Sequence, residues 1–556
     1  MTGGDHANKT VVFGLDGACF ELLDPWLDAG ALPTLAGLVD RGGRASLASC
    51  VPATTPPAWT SLTTGVNPGK HGVFGFYRRH RDEYDGSPVT DRDVSARRLW
   101  DYTSRAGLRS VVVNVPVTHP ARPLEGVLIP GYLAPDEPDP YPADVLAEVG
   151  RPDYRVYAPS EAADVAEEQL LDEWLALTES RKEIAVRLMD AHEWDLLFVE
   201  FQKTDGAVHK FSDRDHVRRI YERVDECLAA VLDAVDGEPN VFVVSDHGIG
   251  QPKEWAVALN TWLVETDYAT TTTGEASATG WLEQATAAHD DSEGAEGGRS
   301  PLAILLAGLS RFGVTKQRLE RALSAVGLYE LAARYAPAGV GAGLDEEVVD
   351  RAASDAFYEG MGFSGVDVGV VINDERFYAD GTVAADEYDT VRAELMAALR
   401  DLTGPDGERA FARVQPREAV YDGPRTPEVP DIVLQQAADY VIGSTFPRGE
   451  TFIPTEAGRI DHTRDGLVIA AGPDIASEWE MDATPSVVDV TPTLLHLLDV
   501  PLNERFDGRS LASVLVTDRE PTYEAYEPIE APGDAAVSAD ERAALEERLR
   551  SMGYLE

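Results

Sequence analysis

TVVFGLDG (residues 10–17), PTLAGLVDRGG (33–43) and VPATTPPAWTSLTTGVNPGKHGVFGF (51–76) stand close together near the start of the 556-residue chain, and their reading decides the fold. The apolar run 10–15 ends in Asp16-Gly17. That is the pattern of a buried strand delivering a carboxylate at its C-terminal end, where open α/β sheets place their ligands. The third segment presents hydroxyls in a proline-punctuated turn, followed by a short helical pattern closed by Thr64-Gly65. A strand-end aspartate followed by a threonine on a constrained turn points to a metal-activated hydroxyl nucleophile. Its remaining ligands must come from later segments.

Further along, 108–115 (LRSVVVNV), 195–201 (DLLFVEF) and 240–244 (NVFVV) read as buried strands. Helical periodicity dominates 160–191 and returns at about 213–235. From 255 to 356 the character changes. TTTTGEASATG and HDDSEGAEGG are polar and of low complexity, the composition of mobile loops, and helix patterns lie between and after them. The expectation is a helical cap over the site, a peripheral decoration being the alternative. The α/β pattern resumes with GVDVGVVIN, a helix at 386–402 and PDIVLQ at 430–435. The expected organisation is therefore a core in two parts, 1–254 and 357–516, interrupted by the insertion 255–356. An acidic tail, 517–556, follows, with a short helix opened by a Ser538–Glu541 capping box.

Charge is the unusual feature of the composition. Acidic residues number 97 against 48 basic ones, a net −49, and only seven of the basic residues are lysines. The acids are spread along the chain, which makes the charge a surface property. Molar salt screens such a surface within about 3 Å, so adaptation to high salt is the expectation, with simple solubility the plainer reading. No basic stripe exists to follow a nucleic acid. Three cysteines, Cys19, Cys50 and Cys227, form no paired framework and suit a reducing compartment. MTGGDHANKT leads directly into the first strand without a signal-like segment, and no run of about 18 apolar residues occurs. The expected location is cytoplasmic.

Asp205 and His209 are four apart just beyond a strand, a spacing that puts both on one helical face and suits a shared metal ion. Taken alone, Asp205 would serve equally as a helix cap. Asp246-His247-Gly248 follows a buried strand directly, and His462 lies in IDHTRDG. Each has a plain reading as turn or loop. Their order is the stronger signal, since most of them follow a buried strand.

In that order these segments resemble the alkaline phosphatase superfamily, in its type I phosphodiesterase/nucleotide pyrophosphatase branch. Within the branch they look most like the predicted prokaryotic phosphohydrolase/phosphomutase group. The likeness spans residues 10–511. It implies an α/β fold with a central, mostly parallel sheet flanked by helices. It also implies two divalent ions, Zn²⁺ or else Mn²⁺. Asp205, His209 and His462 would hold one, and Asp16, Asp246 and His247 the other, which also contacts the nucleophile. Thr54 and Thr55 each fit Thr-x-Pro. The family's Thr-Gly pair nine and ten residues on is met by Thr64 and Gly65 counted from Thr55, which selects Thr55.

The implied activity is hydrolysis of phosphodiester or pyrophosphate-type bonds in a small anionic substrate, through a phospho-threonine. Phosphomonoesterase or phosphomutase activity is the alternative, and a non-catalytic metal-binding protein the outlying one. Two departures stand out. Phe76 occupies the slot of a phosphate-binding asparagine, so that contact comes from elsewhere or is absent; Lys203 is one candidate, a solvated lysine being its plain reading, and Asn114 is a weaker one. The sulfatase signature is missing at residues 55–59.

Overall fold

The computed structural model describes residues 8–80, 85–161, 165–274, 346–359, 368–443, 450–455, 461–517, 519–527 and 529. Thr10–Leu15 is buried at all six positions and runs through the middle of a seven-stranded sheet. In spatial order the strands are Gly43–Ala48, Asp465–Ala471, Asn240–Val244, Thr10–Leu15, Leu196–Phe201, Ser110–Val113 and Gly126–Ile129. All are parallel except Asp465–Ala471, which runs against both of its neighbours. The central strands read as unbroken apolar runs because both sheet faces are covered. One face packs on Pro33–Arg41, Glu167–Ala191 and Arg214–Asp233. The other packs on Thr55–Thr64, Leu99–Arg105 and Val490–Leu497. The fold is the expected α/β one, with a mostly parallel sheet between helices.

Register fixes where the chemistry gathers. Gly14 lies opposite Glu200 on one side and Val244 on the other. Asp16, the Lys203–Lys210 helix and Asp246-His247 therefore all emerge at the same edge of the sheet. The Thr55–Thr64 helix starts with Pro56-Pro57 in its first turn, where the missing N–H groups have no helical partner to lose. It ends at Gly65, whose φ of 70° is the left-handed cap that glycine accommodates.

Three expectations are corrected. Val368–Ile372 and Ile432–Gln436 are strands, as their pattern reads, yet they do not continue the main sheet. With Ala356–Glu359 and Phe411–Pro416 they form a separate antiparallel sheet, which has its own apolar cluster around Val370, Leu395 and Leu434. Local periodicity gives a strand's existence, not its sheet. The described ends of the 255–356 insertion hold more strand than helix. Trp255–Ala258 pairs with Tyr440–Gly443 and Phe452–Pro454; among the described residues of the insertion the helical parts are Leu259–Glu265 and one 3-10 turn, Arg351–Ala353. Thr271–Gly274, read as part of a polar loop, pairs with Glu346–Val349, because consecutive β-branched threonines favour a strand. The expected cap helices and the helix of the tail lie outside the described residues. Finally, the helix expected from 160 begins at Glu167.

Among the described residues no helix is long and apolar enough to cross a membrane. The three cysteines are buried, and no disulfide joins any of them.

Candidate metal centre and nucleophile

Asp16 sits at the end of the central strand, and the turn that follows is tight. Gly17 has φ 66°, and a Cβ there would come 2.7 Å from Asp205 Oδ1, so only glycine fits between the two carboxylates. The Thr204 hydroxyl donates to the Asp16 main-chain oxygen at 2.7 Å, tying the Asp205-bearing helix to this turn. Gly17 N–H donates to Asp246 Oδ1 at 3.2 Å. His462 arrives from far along the chain through a two-residue antiparallel pairing, His462 opposite Ile249. That pairing stacks its ring on His247, centroids 4.0 Å apart and 19° from parallel.

Two overlapping groups of buried donors result. Ligand atoms of Asp16, Asp246 and His247 lie within 4.8 Å of one another, as do those of Asp205, His247 and His462. His247 Nε2 is 3.3 Å from Asp246 Oδ2 and 3.5 Å from Asp16 Oδ1. His209 stands at the rim with a side chain 24% exposed. Its Nε2 is 3.2 Å from Asp205 Oδ1 and 2.8 Å from His462 Nε2.

Burial and mutual charge shift the buried groups of this cluster. Burial, then the charge of Asp205, pushes the Asp16 carboxyl well above its usual range. Burial and Asp16 do the same to Asp246. Burial would also raise Asp205, but His209 and His462 hold it well below. His247 is pushed down by burial and by His462. Asp205 Oδ2, Asp246 Oδ2 and His247 Nε2 are buried without a hydrogen-bond partner. Buried polar atoms are ordinarily satisfied, and carboxylate and imidazole donors at this spacing fit divalent metal ions.

Thr55, the first residue of its helix, donates its hydroxyl to Asp16 Oδ1 at 3.4 Å, whereas Thr54 Oγ1 has no partner. Lys203 is 95% buried, pairs with Glu161 and lies over the Trp174 ring, 4.6 Å from its centroid. Phe76 is core, edge-on to Tyr132 with centroids 6.2 Å apart. Lys70 pairs with Asp507.

Two residues escape the sequence reading. Trp59, one turn after Thr55, donates Nε1–H to Asp16 Oδ2 at 3.2 Å. Its signal is an indole on the helical face that carries the threonine. Glu200 is fully buried beside Asp16, and burial and that neighbour raise its carboxyl well above the usual range. Its signal is a lone acid inside the apolar strand LLFVEF.

The family model for type I phosphodiesterase / nucleotide pyrophosphatase matches residues 10–302, more than half of the chain. The chain belongs to that family, within the alkaline phosphatase superfamily, and is a phosphoric ester hydrolase. Among solved structures it resembles the phosphonoacetate hydrolase of Sinorhizobium meliloti 1021. In the complex of that enzyme with phosphonoformate, the TM-score is 0.55 at 16% identity over 89% of this chain and 96% of that one. In its complex with phosphonoacetate the TM-score is 0.51, with the same identity and coverage. At that identity the likeness is one of fold. No curated protein matches the sequence.

Proposed function

We propose that the chain is a two-metal phosphodiesterase, cleaving phosphodiester or nucleotide pyrophosphate-type bonds through a covalent intermediate on Thr55. The observation that carries this reading is the set of partnerless buried ligand atoms gathered at Asp16, with the Thr55 hydroxyl beside them. Asp16, Asp246 and His247 would hold one ion. Asp205, His209 and His462 would hold the other, with His247 bordering both. Zn²⁺ suits the mixed carboxylate and imidazole donors, and Mn²⁺ is the other fit. When bound, such ions supply positive charge for the phosphate and lower the pKa of a hydroxyl or a water.

The chain's own part is positional. Trp59 and Thr55 fix the two oxygens of Asp16 from one helix. Thr55 Oγ attacks phosphorus in line and one ester P–O bond breaks, releasing the leaving oxygen as its alcoholate, which takes a proton from water. Asp16 Oδ1 is the acceptor within reach of the hydroxyl proton. Water then attacks the same phosphorus, the Thr55–phosphorus bond breaks, and a phosphomonoester leaves.

Charge supports a diester. Two divalent ions and the three aspartates Asp16, Asp205 and Asp246 leave about +1, which matches a monoanion. The nearby cations Lys70 and Lys203 are already paired with carboxylates. Arg311, Arg318 and Arg321, the cap arginines that would serve a dianion, lie outside the described residues. The absence of disulfides among the three buried cysteines and the net charge of −49 support a reducing, salt-rich cytoplasm as the setting.

The test is kcat/KM for bis(p-nitrophenyl) phosphate against p-nitrophenyl phosphate in molar KCl with Zn²⁺ or Mn²⁺. The diester is expected to lead. A tenfold lead for the monoester, about 1.4 kcal/mol of transition-state stabilisation, contradicts the reading.

A further inference from the structure

Beyond the ligand cluster, a small cavity opens at the same edge of the sheet, where Ser110–Val113 and Leu196–Phe201 end. Asn114, Tyr132, Thr178, Arg181, Gln202 and Lys203 supply its polar lining, and its volume of about 10 Å³ is that of one water molecule or one hydroxyl group. Its polar walls are themselves buried: Asn114 is 2% exposed, Arg181 3% and Gln202 7%.

The orientation of Asn114 is settled by its partners. Nδ2 donates to the Glu200 main-chain oxygen at 3.2 Å and to Glu200 Oε2 at 2.7 Å, which uses both amide hydrogens. Turned over, the amide would press Oδ1 against that main-chain oxygen, acceptor on acceptor. What Asn114 offers is therefore Oδ1, a buried acceptor with no partner. It is thus no donor to a phosphate oxygen, the role the Phe76 departure had left open for it.

The cationic side chains around the cavity already have hydrogen-bond partners. Lys203 pairs with Glu161, and Arg181 donates to the main-chain oxygens of Arg155 and Val156. A carboxylate or phosphate would find no unengaged cation here and would meet the Asn114 oxygen. A neutral hydroxyl would find the acceptor it needs. The loops that build this wall are held in strained backbone, with Asn114, Val117 and Leu133 at φ 66°, 58° and 72°. Buried Arg98 anchors them by donating to the Val117 oxygen at 2.6 Å. Strain of this kind persists where the surroundings over-determine it, and it gathers at ligand sites.

Across the sheet Val113 lies opposite Val199 and Glu200 opposite Gly14, so Asn114 directly follows the end of its strand beside Glu200. Two strand spacings of about 4.8 Å separate Asn114 from the strand of Asp16, the reach of a short hydroxylated chain attached to phosphorus. We propose that this cavity is a hydroxyl-recognition subsite, in which Asn114 Oδ1 accepts a hydrogen bond from a free hydroxyl on the alcohol esterified to the substrate phosphate. The favoured substrates are then diesters of polyols or sugars. This rests on the phosphodiesterase reading above.

The test uses p-nitrophenyl alkyl phosphates with chains of about three to five carbons, each paired with its ω-hydroxy counterpart, on the metal-loaded full chain. At least one pair is expected to favour the hydroxy ester about tenfold in kcat/KM, chiefly through KM. Asn114→Gly keeps the left-handed backbone and deletes the amide, and it is expected to bring that ratio to about one. No preference in any wild-type pair overturns the subsite and leaves the cavity to a water molecule. A preference that survives in Asn114→Gly also overturns it. Turnover of bis(p-nitrophenyl) phosphate in the same preparation keeps these results apart from failure of the phosphodiesterase reading, in which no diester is cleaved.

Discussion

Replacing Trp59 by phenylalanine removes one hydrogen bond, from Nε1 to Asp16 Oδ2 at 3.2 Å, while keeping a ring in the core. Hydrogen bonds to a charged partner contribute about 1.5–3 kcal/mol. If Asp16 must be held still both to bind metal and to receive the Thr55 hydroxyl, that loss appears as a fall of about ten- to 150-fold in kcat/KM. The assay is hydrolysis of bis(p-nitrophenyl) phosphate at saturating metal, with metal affinity measured by chelator competition. Trp100→Phe is the control, because Trp100 is buried in the same apolar cluster but on a different helix, Leu99–Arg105. It is expected to lower Tm and leave kcat/KM within about threefold. A second variant checks the geometry. A Cβ on Gly14 would come 2.5 Å from the Trp59 ring. Gly14→Ala is therefore destabilising by about 1–3 kcal/mol alone, and less so in the Trp59→Phe background, where the ring is smaller. The reasoning is refuted if Trp59→Phe keeps full activity, or if Trp100→Phe loses as much.

Four further outcomes follow from the same contacts. Thr55→Ala retains bound metal and loses hydrolysis by roughly three orders of magnitude; equal loss in Thr54→Ala with an active Thr55→Ala would move the nucleophile by one residue. His247→Ala lowers bound metal more than His209→Ala, since His247 Nε2 borders both donor groups and His209 stands at the rim, as elemental analysis would record. His71 is buried, with Nε2 at 2.9 Å from the Ser61 hydroxyl and Nδ1 accepting from Val73 N–H, and burial holds its pKa well below the ordinary 6.5. Its folded pKa is thus depressed: its contribution is complete above pH 6.5 and is lost as pH falls below, at up to about 1.4 kcal/mol per pH unit, a slope that His71→Gln should lessen in Tm-against-pH series. Low ionic strength lengthens screening to about 30 Å at 0.01 M, so a charge of −49 should lower Tm on dilution from molar KCl; an unchanged Tm contradicts that.

Much of the candidate site's arrangement is legible in the sequence because its parts follow buried strands. An apolar run that stops at Asp16, or at Asp246-His247, announces both a strand and the edge at which it ends. The four-residue spacing of Asp205 and His209 is legible for the same local reason. His462 is harder, since its place depends on a two-residue pairing with the segment after Asp246, and nothing local marks that pairing. Trp59 and Glu200 are hidden by their types, because an indole on a helix and an acid in a strand acquire meaning only when a third element brings Asp16 or Asn114 against them. Lys203 is the converse case. Its position before Asp205 suggests a phosphate contact, whereas Glu161 and Trp174, both distant in sequence, engage it. Sheet membership is invisible for a related reason: Val368–Ile372 and Ile432–Gln436 have the pattern of buried strands whichever sheet they join.

The central claim, that Thr55 carries the phosphoryl group, is tested most directly by acid quench during steady-state turnover of bis(p-nitrophenyl) phosphate, followed by mass spectrometry of the tryptic peptide 45–70. The account predicts a p-nitrophenyl phosphoryl adduct on Thr55 that forms and decays fast enough to sustain turnover. Full turnover with no adduct on this peptide, or with the adduct on Thr54, would contradict it.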